Sequence, residues 1–150
     1  MRYVFFGTPA FAAIILKDLI DKGLPPVAVV CNPDRPFGRK KIITPPPTKI
    51  IAQNAQHIQI FQPEKIRDVI PQLKELNADI FVVVAYAKII PPDVFNIPTQ
   101  GTLGVHPSLL PLYRGPSPIQ YTLLNGETKT GVTLYRIDEG VDHGPTYIHA

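Results

Sequence analysis

Apolar residues along the chain fall into short blocks separated by proline- and glycine-rich stretches, and the spacing inside each block predicts its form. Arg2-Tyr-Val-Phe-Phe6 is a β-rich run ended by Gly7-Thr8-Pro9. Phe11, Ile14, Ile15 and Leu19 then recur at helical spacing up to Lys22-Gly23. Gly23 suits the left-handed terminator of that helix, and Val27-Ala-Val-Val-Cys31 reads as a second strand. A strand–helix–strand opening predicts a right-handed parallel crossover and hence an α/β, doubly wound sheet.

The same reading continues down the chain. Thr48 is placed to cap a helix through Ile50, Ile51 and Ala55, and Ile58–Phe61 follows as a short strand. Ile66, Val69, Ile70, Leu73 and Leu76 form the inward face of an amphipathic segment that Pro71 kinks or divides. Ile80–Ala85 is a continuous apolar strand of the kind buried on both faces, and it delivers the loop Tyr86–Pro91. Gly101–Val105 is another strand, running straight into His106. A helix is expected from about Ser117 to Leu124, closed by Asn125-Gly126. Thr130–Arg136 alternates Val132 and Leu134 with Thr133 and Tyr135, as an edge or antiparallel strand would, and Thr146–His149 looks like its partner. The sheet is therefore expected to be mostly parallel, with antiparallel strands toward the C-terminus. Because the chain stops inside that pattern, it reads as part of a longer protein. Asn32 to Pro47, crowded with prolines and cations, is expected to be a long loop.

Composition adds limits. A length of 150 residues suggests one domain, and no apolar run approaches the roughly 20 residues of a membrane helix. The start lacks the pattern of a secretory signal, so the cytoplasm is the expected location. A single cysteine, Cys31, excludes an intramolecular disulfide and a cysteine zinc cluster. The 18 prolines stand well above average usage of about 5% and suit stiff, ordered loops. Between Asp34 and Lys49 lie five basic residues (Arg35, Arg39, Lys40, Lys41, Lys49) and one acid, against a net charge of +3 for the whole chain. The positive excess thus sits in one segment, which suits either phosphate contacts or a solvated surface loop.

Three apolar runs are expected to bring polar loops to one edge of the sheet: the Tyr86 loop, the loop after His106, and Asp138-Glu-Gly-Val-Asp142. A histidine oriented by a carboxylate can take a proton from an amine and return it to a leaving nitrogen, because the acid fixes the tautomer and stabilises the imidazolium. His106 and Asp142 are the candidates. Ser108 is the alternative nucleophile, but it lies two residues after His106 and no Gly-x-Ser-x-Gly elbow is present. The first turn lacks Gly-x-Gly-x-x-Gly, which argues against a dinucleotide site. None of His57, His106, His143 and His149 has the helical spacing of a zinc site, and Asp138 and Glu139 suit turn roles, so no metal is expected.

Several loops then agree on one resemblance. Val29-x-Cys-Asn-Pro-Asp-Arg-Pro-x-Gly-Arg39, Val84-Ala-Tyr-Ala-Lys-Ile-Ile-Pro91, Val105-His-Pro-Ser-Leu-Leu-Pro-x-Tyr-Arg-Gly115 with Ser117-Pro-Ile-Gln120, and Thr130-Gly-Val-Thr with Asp138-x-Gly-x-Asp142 are collinear with the methionyl-tRNA formyltransferase family. Phe6-Gly-Thr-Pro-x-Phe-Ala12 fits it too. The resemblance implies a Rossmann-like formyltransferase domain spanning 1–150, which uses 10-formyltetrahydrofolate to formylate the amino group of methionine on initiator tRNA. It implies His106 and Asp142 as the catalytic pair. It also implies Tyr86, Ala87, Ile89, Asp138, Glu139, Gly140 and Val141 against the folate. Arg35, Arg39, Lys40 and Lys41, within the basic stretch 34–49, would lie against the tRNA. Ser108, Leu109, Leu110, Pro111 and Arg114 would lie near the substrate.

The chain departs from the family pattern in two places. The family motif has the form Asn-x-His, and the asparagine position is Gly104 here. Loss of a donor to a developing oxyanion typically costs about 10²–10³ in rate. A missing donor predicts that Gly104→Asn raises formyl transfer. The small β-barrel that follows this domain in the family is also absent. Alternative readings are an N-formyltransferase for an amino sugar or another small amine, or a relative that binds folate or RNA without turnover.

Overall fold

The computed structural model describes residues 1–150. Strand β1 (Tyr3–Gly7), buried at every position, passes into helix α1 (Ala10–Asp21) and returns as β2 (Ala28–Val30). Gly23 terminates the helix as expected: its φ is +75°, its amide donates to the Ile20 carbonyl and that of Leu24 to the Leu19 carbonyl, both at 2.9 Å.

The basic stretch is not the structureless loop that its prolines suggest. Strands β3 (Arg35–Phe37) and β4 (Ile42–Thr44) pair as an antiparallel hairpin outside the main sheet. Ile42-Ile43-Thr44 is a β-branched run, and Gly38 and Lys41 take positive φ in the turn. Pro36 is tolerated because a two-stranded hairpin is all edge. Helix α2 (Pro47–Asn54) corrects a second expectation. Thr48 does not cap it; Pro47 occupies its first position, and the Thr48 hydroxyl donates to the Gly7 carbonyl at 2.8 Å.

After β5 (Gln59–Phe61), the amphipathic segment divides beside Pro71 into a 3₁₀ turn, Ile66–Val69, and helix α3 (Ile70–Glu75). Strand β6 (Ile80–Val84), the short helix α4 (Pro92–Phe95), β7 (Thr102–His106), helix α5 (Pro118–Leu124), β8 (Thr133–Arg136) and β9 (Thr146–His149) complete the chain. No helix is long and apolar enough to cross a membrane.

The main sheet has the order β5-β2-β1-β6-β7-β8-β9, with the first five strands parallel, β8 antiparallel to β7, and β9 antiparallel to β8. Alternation along the strands divides the core. Val4, Phe6, Val30, Phe81 and Leu73 pack on one face, and Phe5, Leu16, Val29, Ala52 and Val84 pack on the other. The order reverses between β1 and β6, so the crevice of a doubly wound sheet lies at the carboxyl ends of these strands. β6 and β7 deliver the Tyr86 and His106 loops to that edge. β8 cannot, because it runs the other way: His106 pairs with Thr133 and Leu103 with Arg136. The carboxyl end of β8 lies at the opposite edge, so strand direction alone does not bring Asp142 to His106. The loop 137–145 brings it there by folding back over the sheet.

Candidate active site

His106 ends β7 and is only 6% exposed. The β7–β8 register pairs Gly104 with Tyr135 and His106 with Thr133, so all four residues project from one face of the sheet. Asp142 reaches this face from the loop after β8, its backbone in the left-handed region at φ +46°. Its Oδ2 lies 3.4 Å from His106 Nδ1 and accepts the Gly115 amide at 2.8 Å. Its Oδ1 accepts the Tyr135 hydroxyl at 2.6 Å. On the other side of the imidazole, Nε2 lies 2.8 Å from the Tyr113 carbonyl oxygen. A carbonyl can only accept, so this nitrogen carries the hydrogen. An imidazolium at His106 therefore finds an acceptor on each side.

Thr133 ties the His106 loop to β8. Its fully buried hydroxyl donates to the Ser108 carbonyl at 2.7 Å and accepts the Leu110 amide at 3.0 Å, with His149 Nδ1 at 2.9 Å. Ser108 is itself fully buried and donates to the Leu112 carbonyl at 2.6 Å, so its hydroxyl braces the loop rather than standing free as a nucleophile. Leu110 is buried and Leu109 half-buried, while Pro111 and Arg114 are exposed.

Sequence reasoning missed Tyr135, Thr133 and Tyr113. In β8 the alternation suggests Val132 and Leu134 as the inward set, yet Thr133 and Tyr135 are the buried pair. Burial, and then the Asp142 carboxylate, push the Tyr135 phenol above its ordinary range, so it remains a donor. Gly104 is what admits the ring. A Cβ built there falls inside the Tyr135 ring contact and 2.7 Å from its hydroxyl oxygen. Gly104→Asn alone therefore requires the Tyr135 ring to move aside, so the substitution does more than add a donor.

In the Tyr86 loop, the Tyr86 side chain turns into the core. Its ring meets Phe6 edge-on, with centroids 5.5 Å apart, its hydroxyl has no protein partner, and burial pushes the phenol up to about 12. Ala87 and Ile89 are exposed. In the loop after β8, Asp138 pairs with His143 at 3.0 Å and accepts the Gly140 amide at 2.9 Å. The His143 bond is the main reason its carboxyl titrates below the usual range. Glu139, Gly140 and Val141 are exposed.

The cations of 34–49 are not equivalent. Lys49 pairs with Asp34 at 2.7 Å and Arg35 with Glu64 at 3.2 Å. Arg39, Lys40 and Lys41 sit exposed in the hairpin turn with no ion-pair partner, flanked by exposed Phe37, Ile42 and Ile43. No group of three or more His, Cys, Asp or Glu residues is placed to hold a metal ion.

A family model described as formyl transferase matches residues 1–150. The chain belongs to this family. Among similar curated proteins, the methionyl-tRNA formyltransferase of Synechococcus sp. (strain JA-3-3Ab) is 50% identical over 155 residues, covering 100% of this chain and 48% of its own length. That of Pelotomaculum thermopropionicum is 50% identical over 146 residues, covering 96% of this chain and 46% of its own. The chain thus spans about half the length of the curated relatives it matches. Among solved structures, phosphoribosylglycinamide formyltransferase from Bacillus halodurans superposes with TM-score 0.78 at 20% identity, covering 100% of this chain and 78% of that one. Glycinamide ribonucleotide transformylase 1 from Geobacillus kaustophilus gives 0.74 at 24% identity, covering 99% and 80%. The formyl transferase fold is therefore shared well beyond close sequence likeness.

Proposed function

We propose that this formyl transferase domain belongs to an enzyme that moves a formyl group from 10-formyltetrahydrofolate to the amino group of methionyl-tRNA, with His106 and Asp142 as the proton-transfer pair. The observation that carries the reading is the His106 ring held between Asp142 and the Tyr113 carbonyl on a formyl transferase fold. Relatives named methionyl-tRNA formyltransferase support the acceptor, and the unpaired cations of the β3–β4 turn suit its phosphates. A cytoplasmic location accompanies the reading.

The residues present fit a folate in kind. Exposed Ile89 and Val141 offer apolar contact, and Asp138 and Glu139 offer acceptors for amine edges. The bound folate supplies the activated formyl carbon. The chain's part is proton handling. At rest Nε2 donates its hydrogen to the Tyr113 carbonyl. Once that bond opens and the Nε2 proton is lost to solvent, Asp142 opposite Nδ1 favours the tautomer with its hydrogen on Nδ1 and leaves Nε2 free to act as a base. Nε2 then takes the proton shed as the acceptor amine bonds to the formyl carbon, and returns it to the departing nitrogen. Asp142 stabilises the imidazolium between the two transfers.

The test is to incubate the intact protein with 10-formyltetrahydrofolate and charged tRNA and to assay formyl-methionine. His106→Asn is expected to lower kcat by about 10²–10⁴. Undiminished transfer by this variant overturns the role of His106, and transfer only to small amines overturns the acceptor.

A further inference from the structure

We infer that Tyr135 is a positioning residue of the transfer site, holding the Asp142 carboxylate toward His106 from the space that Gly104 leaves open. The inference rests on the reading of His106 and Asp142 as the transfer pair. A buried phenol needs a partner for its hydroxyl, and this one has a single polar contact, the 2.6 Å bond to Asp142 Oδ1. The opposite oxygen of the same carboxylate takes the Gly115 amide at 2.8 Å and faces His106 Nδ1 at 3.4 Å. Two donors on two oxygens fix the rotation of the carboxyl plane, which a carboxylate at the tip of a loop otherwise lacks.

The register accounts for Tyr135 being there. It is the direct cross-strand partner of Gly104, and only a residue without a Cβ lets the ring lie across β7 beside His106. A role limited to filling that space would need the ring and not the hydroxyl. A positioning role needs the hydroxyl.

Tyr135→Phe in the intact protein separates the two. The ring is kept, so the thermal midpoint should hold within a few degrees. The expected result is a fall in kcat of roughly tenfold or more, the scale of a lost hydrogen bond to a charged group, with KM for both substrates unchanged. In an Asp142→Asn background the same substitution should cost nothing further. An unchanged kcat in the single variant, or an equal loss in both backgrounds, overturns the inference. A readout without turnover keeps it separable from the reading above. The ¹⁵N resonances of the His106 ring should move in Tyr135→Phe and not in a control such as Tyr121→Phe on exposed α5. Unmoved His106 resonances overturn the inference even if the acceptor proves to be another amine, whereas moved resonances in a protein that formylates no tRNA count against the acceptor alone.

Discussion

Thr133 shows how much of the site depends on one hydroxyl. It satisfies the Leu110 amide and the Ser108 carbonyl, both from the loop that carries His106. Thr133→Val keeps the shape and removes both partners, leaving a buried donor and acceptor unpaired. The expected cost is about 1–3 kcal/mol, seen as a fall of several degrees in thermal midpoint. An unchanged midpoint would mean the loop is anchored elsewhere. Gly104 and Tyr135 belong to the same scale. Gly104 reads from sequence as a missing side chain, whereas in the fold its place is filled from the opposite strand. Single-residue patterns cannot show this, because the filling residue is brought there by pairing.

At the scale of elements, the strands and helices that bury a periodic apolar set were legible: β1, α1, β2, β6 and the divided segment around Pro71. The β3–β4 hairpin was not, because prolines and cations mask a β-branched run that buries nothing. Its turn carries a distinct prediction. Neutralising Arg39, Lys40 and Lys41 should reduce the dependence of tRNA affinity on log salt by up to about one unit of slope per lost phosphate contact. An unchanged slope in a salt titration would place the RNA contact elsewhere. Lys49, by contrast, serves the hairpin's base through Asp34, which also accepts the Gln62 amide at 2.7 Å. The Lys49 bond, then that of Gln62, hold the Asp34 carboxyl below its ordinary range. A depressed carboxyl stabilises the fold above the unfolded value of about 4, and that contribution is lost as pH falls through the lower folded value. Asp34→Asn should therefore lower the melting temperature at neutral pH, and the difference should shrink in acid. A pH-independent difference would assign the effect to packing.

For the whole molecule, the parallel half of the sheet was readable because crossovers leave strands apolar on both faces. The Tyr86 and His106 loops follow from it. Asp142 does not, since β8 reverses and its loop must double back over the sheet, a path set by Gly115, Tyr135 and the turn geometry rather than by periodicity. That reversal has a consequence for how such a chain can vary. Gly104 and Tyr135 lie far apart in sequence yet share one volume, so a larger residue at 104 displaces the ring of 135. A chain with a side chain at the first position needs a smaller or differently turned residue at the second, so a double substitution at the two should be tolerated better than a larger residue at 104 alone.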